Sequence, residues 1–229
     1  MRRLRRLVMW SLLAFVAGSM GLVLLLRWVD PPYSAVMLQR LANEGTPQHQ
    51  RWVGLEQIDP YMVLAVVAAE DQRFPDHRGF DTEQILVALE QHLDGGRLRG
   101  ASTISQQTAR NLFLWQGRSY LRKGLEVWFT GLIEAFWPKR RILEMYLNFA
   151  EMGERIFGVA VASVRYYGVS PARLGRERAA LLAAALPNPL FYRVDAPSKY
   201  LFGRRLWILQ QMRALGGVSY LKGIVQTKP

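Results

Sequence analysis

The sequence predicts a mainly α-helical protein, in which one apolar helix at the N-terminus precedes a single helical domain. First, Leu7 to Leu26 contains no charged residue. Second, apolar residues recur at helical spacing through most of the later chain, interrupted by glycine and proline. Third, no long alternating strand and no repeat of fixed period is present. Half of the 229 residues are hydrophobic, which is more than a disordered composition contains.

The N-terminal apolar run is long enough to cross a membrane. As a helix, its 20 residues would span about 30 Å, the thickness of a bilayer core. Four arginines precede the run and Arg27 follows it, so the positive-inside rule places the N-terminus in the cytoplasm. A cleaved signal peptide is the alternative, but "RWVDPP" after the run is a poor cleavage site. We therefore predict that residues 1–27 form a cytoplasmic tip and an uncleaved anchor, with the rest of the chain outside the cytoplasm.

The chain carries a net charge of +12 and no cysteine. Such a charge suits nucleic acid, an anionic membrane or a phosphorylated substrate. Beyond Arg27, 25 basic residues still exceed the 18 acidic residues, which leaves a net charge of +7. The predicted location argues against a nucleic-acid partner and favours an anionic membrane surface or a lipid phosphate. The absence of cysteine excludes disulfides and thiolate metal sites.

Residues 28–57 are predicted to be a linker, because they are polar and punctuated by proline and glycine. Residues 58–229 are predicted to form one helical domain. Residues typical of helix N-termini open several of its helices, as Asp81 does with Gln84, and glycine or proline closes most of them. The predicted helices cover residues 60–70, 82–94, 103–114, 119–136, 139–150, 157–167, 176–186 and 198–215.

A carboxylate ends the most apolar of these helices, in "MVLAVVAAEDQRFPDHRGFD". Both burial and the helix dipole should raise the pKa of Glu70, which suits a general base or acid near neutral pH. Arg73 and His77 are close enough in sequence to oppose that shift. The alternative is an exposed helix-end acid paired with Arg73. Asp71 is predicted to be structural, as a cap for the turn that follows.

Two further stretches carry residues suited to binding anions or sugars. In "GASTISQQTARNLFL", backbone amides with Ser102, Thr103 and Gln106 could hold an anion or sugar hydroxyls, although the pattern alone favours an ordinary capping box. In "GRSYLRKGLE", Arg118 and Arg122 share one helix face with Glu126. Two guanidinium groups on one face suit a pyrophosphate, and the alternative is a solvated ladder of salt bridges.

The order of these motifs resembles that of the peptidoglycan glycosyltransferases, glycosyltransferase family 51. The resemblance covers about residues 55 to 210. It is to the monofunctional members of the family, which have no transpeptidase domain. It rests on the following stretches: "EDQRFPDHRGFD", "GASTISQQTARNLFL", "RKGLE", "KRRILEMYLN", "IFGVAVASVRYYGVSPARL" and "AALLAAALPNPLFY".

The resemblance implies a lysozyme-like helical head with a smaller lobe that dips into the membrane. It implies an enzyme of the bacterial inner membrane that polymerises lipid II into β-1,4 glycan strands. The growing glycan chain is the donor, lipid II is the acceptor, the anomeric centre inverts and undecaprenyl diphosphate is released. Other proteins of cell-wall synthesis are expected as partners.

The resemblance also implies roles for individual residues. Glu70 acts as the base on the acceptor hydroxyl. Glu126 supports the diphosphate side, through a divalent cation (Mg²⁺ or Mn²⁺) or through basic side chains, and no metal ligands are assigned. The expected diphosphate contacts are Arg110, Arg118, Arg122 and Lys123. The expected cleft residues are Ser102, Thr103, Gln106 and Gln107.

One position departs from the family pattern, and two other functions remain open. Arg155 stands where the family usually carries glycine, so a positive φ there would cost about 1 kcal/mol or more. A lysozyme-like enzyme that cleaves glycan would also use two carboxylates on a helical domain. A non-catalytic subunit that binds lipid II is the second alternative. The basic helix face and the anchor argue against the first, and the two glutamates, Glu70 and Glu126, argue against the second.

Overall fold

The computed structural model describes residues 1–45, 50–93, 102–117 and 119–225, and it confirms the mainly α-helical class. Two short strands and three turns of 3₁₀ helix accompany the α-helices of the described residues. The α-helices are α1 (Arg2–Leu26), α2 (Ala35–Glu44), α3 (Pro60–Glu70), α4 (Thr82–Leu93), α5 (Ile104–Phe113), α6 (Tyr120–Phe136), α7 (Lys139–Phe149), α8 (Val159–Tyr167), α9 (Gly175–Ala185), α10 (Lys199–Ala214) and α11 (Lys222–Val225). The strands are β1 (Glu151–Gly153) and β2 (Ile156–Phe157).

The predicted helix over 157–167 begins two residues late, because its first residue belongs to a hairpin. Strand β2 pairs antiparallel with β1 before α8 starts. The connecting Gly158 has φ +79, and a Cβ there would lie 2.5 Å from the carbonyl oxygen of Asn148. Helix α8 therefore starts directly after Gly158, a position where any residue with a side chain would be strained.

Arg155 lies in the turn of this hairpin and has a φ of +58. Among the described residues it is the one non-glycine residue with a positive φ. The left-handed region costs an L-residue about 1–2 kcal/mol. The departure from the family pattern is thus a local conformational cost, and the hairpin forms in spite of it.

Helix α3 forms the centre of the core. Asp59 caps its first turn by accepting from the Tyr61 N–H at 2.9 Å, and its second carboxylate oxygen accepts from the Gly175 N–H at the start of α9 at 2.8 Å. Every residue from Met62 to Ala68 is buried. The helix packs against α9 and α10. The alanine side chains of α9 allow that close approach, so α3 is held rigidly on several sides.

Helix α1 is long and apolar enough to cross a membrane, and its C-terminal third packs against the helical domain. The Trp137 indole N–H donates to the carbonyl oxygen of Val23 at 2.7 Å. The Arg141 guanidinium donates to the carbonyl oxygen of Leu26 at 3.0 Å. Helix C-termini leave carbonyl groups without partners, and here side chains from the domain supply them.

The predicted linker, residues 28–57, contributes to the core in part. Its described residues include α2, whose N-cap Ser34 accepts from the Met37 N–H at 3.2 Å. Val36, Met37 and Leu55 are buried with the rest of the hydrophobic core. The boundaries of the domain remain a prediction.

Candidate active site

Glu70 lies at the last turn of α3, on the wall of a pocket of about 240 Å³. Ser102, Thr103 and Trp207 line the same pocket. One carboxylate oxygen, Oε2, accepts from the Gln107 side-chain N–H at 2.9 Å. The other, Oε1, is buried and has no hydrogen-bond partner within the protein. A buried carboxylate oxygen without a partner is costly, and it therefore binds a proton more readily.

Burial raises the pKa of Glu70 above its usual range, as the sequence predicts. The hydrogen bond from Gln107 and the charges of Arg204 and Arg110 oppose that shift, and the charge of Asp71 adds to it. The sequence predicted that Arg73 and His77 would oppose this shift in pKa, and that prediction was wrong. Arg73 instead pairs with acids at the start of α4, and His77 pairs with Asp71.

Asp71 fixes the surroundings of Glu70. It accepts from the Nε2–H of His77 at 2.8 Å and from the backbone N–H of Ile104, the first residue of α5, at 3.0 Å. The ring nitrogen Nδ1 of His77 accepts from the Gly79 N–H at 3.1 Å, which leaves the hydrogen on Nε2. Asp71 therefore joins the end of α3 to the start of α5.

The capping box at the start of α5 is confirmed, and it occupies two of the predicted cleft residues. The Thr103 hydroxyl donates to the carbonyl oxygen of Gly79 at 2.7 Å and accepts from the Gln106 N–H at 3.2 Å. The side-chain oxygen Oε1 of Gln106 accepts in turn from the backbone N–H of Thr103 at 3.0 Å. Gln107, one residue later, is the glutamine that contacts Glu70.

A second pocket has a volume of about 460 Å³. Arg110 and Arg122 line it, together with Tyr146 and the Pro187 and Pro189 loop. The Nε atom of Arg122 is buried without a hydrogen-bond partner. This pocket therefore offers cationic groups to an anionic ligand.

Glu126 is buried between two basic side chains. Arg122 donates to its Oε2 at 2.8 Å and Lys123 donates to its Oε1 at 2.5 Å. The Glu126 side chain is only 2% exposed, so the alternative of a fully solvated ladder of salt bridges does not describe it. Arg118, the third predicted member of this face, lies outside the described residues.

The residues around Glu126 do not fit a divalent cation held by the protein. Both carboxylate oxygens already accept from cationic side chains. Within the described part of the chain, no group of three or more His, Cys, Asp or Glu side chains could hold a metal ion. Of the two predicted options, the geometry favours basic side chains on the diphosphate side.

Two residues near Glu70 were missed from the sequence. Tyr146 of α7 donates its hydroxyl hydrogen to the side-chain oxygen Oε1 of Gln107, with 3.3 Å between the two oxygens. Its place in "KRRILEMYLN", a motif that carries the family resemblance, was an available signal. Arg204 of α10 lies over the Trp207 ring, 5.5 Å from its centroid, close enough to affect the Glu70 carboxylate. No local pattern marked it.

Comparisons with known proteins agree with this arrangement. A family model described as Transglycosylase matches residues 36–213. A biosynthetic peptidoglycan transglycosylase of Pseudomonas fluorescens is 48% identical over 232 aligned residues, which cover 99% of this chain and 95% of the relative. A protein of the same name from Xanthomonas campestris pv. campestris is 49% identical over 230 residues, covering 96% of this chain and 94% of the relative.

The fold and the site thus define a helical, lysozyme-like glycosyltransferase. The chain belongs to the transglycosylase family, and the resemblance predicted from its motifs is confirmed.

The raised pKa of Glu70 has a consequence for stability. The folded chain holds this proton more tightly than the unfolded chain, so ionising Glu70 destabilises the fold as pH rises from about 4.3 through the folded pKa. We expect Glu70→Gln to unfold at a higher temperature than the wild type at about pH 8, and the difference to vanish towards about pH 4.

The exposed acid Glu154 provides a control, since Glu154→Gln should match the wild type at both pH values. Differential scanning calorimetry in detergent would measure the unfolding temperatures. An unfolding temperature for Glu70→Gln at or below that of the wild type at the higher pH would show that the carboxylate is not destabilised.

Proposed function

We propose that this chain polymerises peptidoglycan glycan strands from lipid II, with the growing strand as the donor. The observation that carries the proposal is the Glu70 carboxylate, one oxygen of which is buried without a partner and which feels the charge of Arg110, a residue that lines the cationic pocket with Arg122. A base and a cationic pocket in one region of the molecule suit transfer of a sugar away from a diphosphate.

In the proposed step, Glu70 removes the proton from the 4-hydroxyl of the acceptor GlcNAc. The hydroxyl oxygen attacks C1 of the donor MurNAc as the bond from C1 to the diphosphate oxygen breaks. Attack from the face opposite the leaving group inverts the anomeric centre. Undecaprenyl diphosphate carries away the bonding electron pair, and Arg110, Arg122 and Lys123 would stabilise its charge. Glu126 holds Arg122 and Lys123 in place for this role.

The geometry supports transfer over the two alternative functions. Most glycan-cleaving enzymes use a second carboxyl group that is free to act on water or sugar, whereas both oxygens of Glu126 accept from cations. A subunit that only binds lipid II would gain nothing from a buried carboxylate oxygen left unpaired, which costs stability.

The same proposal places the enzyme in the bacterial inner membrane. Helix α1 would be an uncleaved anchor with its N-terminus in the cytoplasm, and the catalytic domain would face the periplasm. The packing of α1 supports retention of this helix, because removing it would take away Val23 and Leu26, whose carbonyl oxygens accept from Trp137 and Arg141. The lipid-linked substrate would then reach the site from the same membrane.

The test of the function is polymerisation of labelled lipid II by the purified full chain in detergent. Glu70→Gln keeps the shape and removes the base, so we expect polymer formation to fall by at least about 10²-fold while lipid II still binds. Glu154→Gln, in the exposed hairpin turn, should keep the wild-type rate. Activity of Glu70→Gln within about threefold of the wild type would reject Glu70 as the base.

The cationic pocket has a separate test. Arg122→Ala should lower the rate of lipid II turnover about ten- to hundredfold, since a hydrogen bond from a cation to an anion is lost in a partly dry site. Arg122→Lys keeps the charge and should lose less, and Arg173→Ala, on an exposed turn, should lose nothing. Circular dichroism would verify that each variant is folded. Unchanged rates in Arg122→Ala would remove Arg122 from the diphosphate site.

The topology can be tested in cells. A reporter that is active only in the cytoplasm, fused to the C-terminus, should give no signal, because four arginines hold the other end of α1 inside. A reporter active only in the periplasm is the matched control and should give full signal. Strong cytoplasmic activity would overturn both the topology and the access to lipid II.

A further inference from the structure

A chain of hydrogen bonds connects three helices at the proposed base. The Tyr146 hydroxyl on α7 donates to the Gln107 carbonyl oxygen at 3.3 Å, and the Gln107 amide on α5 donates to Glu70 Oε2 at 2.9 Å. Tyr146 is 2% exposed. Burial and the neighbouring Glu70 carboxylate raise the pKa of Tyr146 well above its usual range, so its hydroxyl keeps a hydrogen to donate at any physiological pH.

The direction of this chain follows from the ionised state of Glu70. A carboxylate can only accept, so the side-chain amide of Gln107 must turn its N–H towards it. The carbonyl oxygen of that amide then faces Tyr146, where it needs a donor. The Gln107 N–H points its positive end at the carboxylate and the Tyr146 O–H points its positive end at the oxygen of the same amide, and hydrogen bonds in such a chain strengthen one another.

We propose that Tyr146 is a positioning residue, which holds the Gln107 amide with its N–H on Glu70 Oε2 and so leaves Oε1 as the oxygen that takes the substrate proton. This inference rests on the proposed role of Glu70 as base. Without the Tyr146 hydroxyl, the Gln107 carbonyl oxygen would lose its donor whenever Glu70 is ionised. The amide could then rotate and present that oxygen to Glu70, which suits only a protonated carboxyl.

Other charged groups act on Glu70, but they leave the Gln107 amide unrestrained. The charges of Arg110 on α5 and Arg204 on α10 act on Glu70, as does the charge of Asp71, which follows Glu70 in the chain. These groups shift the pKa of Glu70 through their charge. Tyr146 alone among the described residues has a hydrogen bond to the side-chain oxygen Oε1 of Gln107. Removing its hydroxyl should therefore change the proton affinity of Glu70 without removing a charge.

Tyr146→Phe should displace the pH profile of polymerisation. Losing one hydrogen bond to the amide should move the midpoint of the rising limb of kcat upward by about half to one pH unit. The rate below the midpoint then falls about three- to tenfold and recovers at alkaline pH, while KM for lipid II changes little. In a Glu70→Gln background the same change should add no further loss.

Tyr166→Phe is the matched control. Its hydroxyl donates to the Met152 carbonyl oxygen at 3.1 Å, so this variant also loses one partly buried hydrogen bond, away from Glu70. Its pH profile should coincide with that of the wild type. A uniform loss of rate in Tyr146→Phe at every pH, or an unmoved limb, would show that Tyr146 serves packing alone and would overturn the inference.

Infrared titration separates this inference from the function itself. The difference between spectra of the wild type and Glu70→Gln reports protonation of the Glu70 carboxyl in the full chain without substrate. Repeated in the Tyr146→Phe background, it should give a higher midpoint. A shifted midpoint in a protein that makes no polymer would support the positioning role and reject the polymerase function. An unshifted midpoint would reject the positioning role whatever the activity.

Discussion

The buried carboxylate of Asp71 is the interaction on which the active-site region depends. It accepts from the His77 ring and from the backbone N–H of Ile104, and so it joins the end of α3, the following loop and the start of α5. Leaving a buried acceptor without its donor typically costs about 1–3 kcal/mol, so these segments are held firmly. Because Glu70 precedes Asp71 and Gln107 follows Ile104 by one turn, the same contacts set the separation of the base and its amide partner.

Adjacent carboxylates in this chain have opposite environments, and the difference accounts for their different roles. Asp71 accepts hydrogen bonds from His77 and Ile104 and so stabilises the fold, whereas Glu70 keeps one buried oxygen without a donor. The first arrangement joins two segments of the chain, and the second raises the affinity of Glu70 for a proton. Helix α3 can carry the second group because the packing of its buried residues, Met62 to Ala68, compensates for a local cost.

Helix α1 is docked to the domain at its end and is more than a tether. The indole of Trp137 and the guanidinium of Arg141 complete its C-terminal hydrogen bonds, and Arg141 also pairs with Asp30 at 2.7 Å and Glu144 at 2.5 Å. If α1 spans the membrane as proposed, these contacts fix the orientation of the domain to the bilayer. The active site would then lie at a constant distance from the bilayer surface, where it would meet a lipid-linked substrate.

The sequence by itself determined the helical class, the boundaries of most helices to within a few residues, and the place of Glu70 at the end of a buried helix. Caps, helix stops and apolar spacing act over a few residues, so local patterns encode them. Only the tertiary structure decided which groups face Glu70. Arg73 and His77 are near in sequence but pair with other acids, whereas the charges of Arg110 and Arg204, on later helices, act on Glu70. Such contacts depend on how whole helices pack across the core, and the spacing of residues along one segment carries no information about that packing.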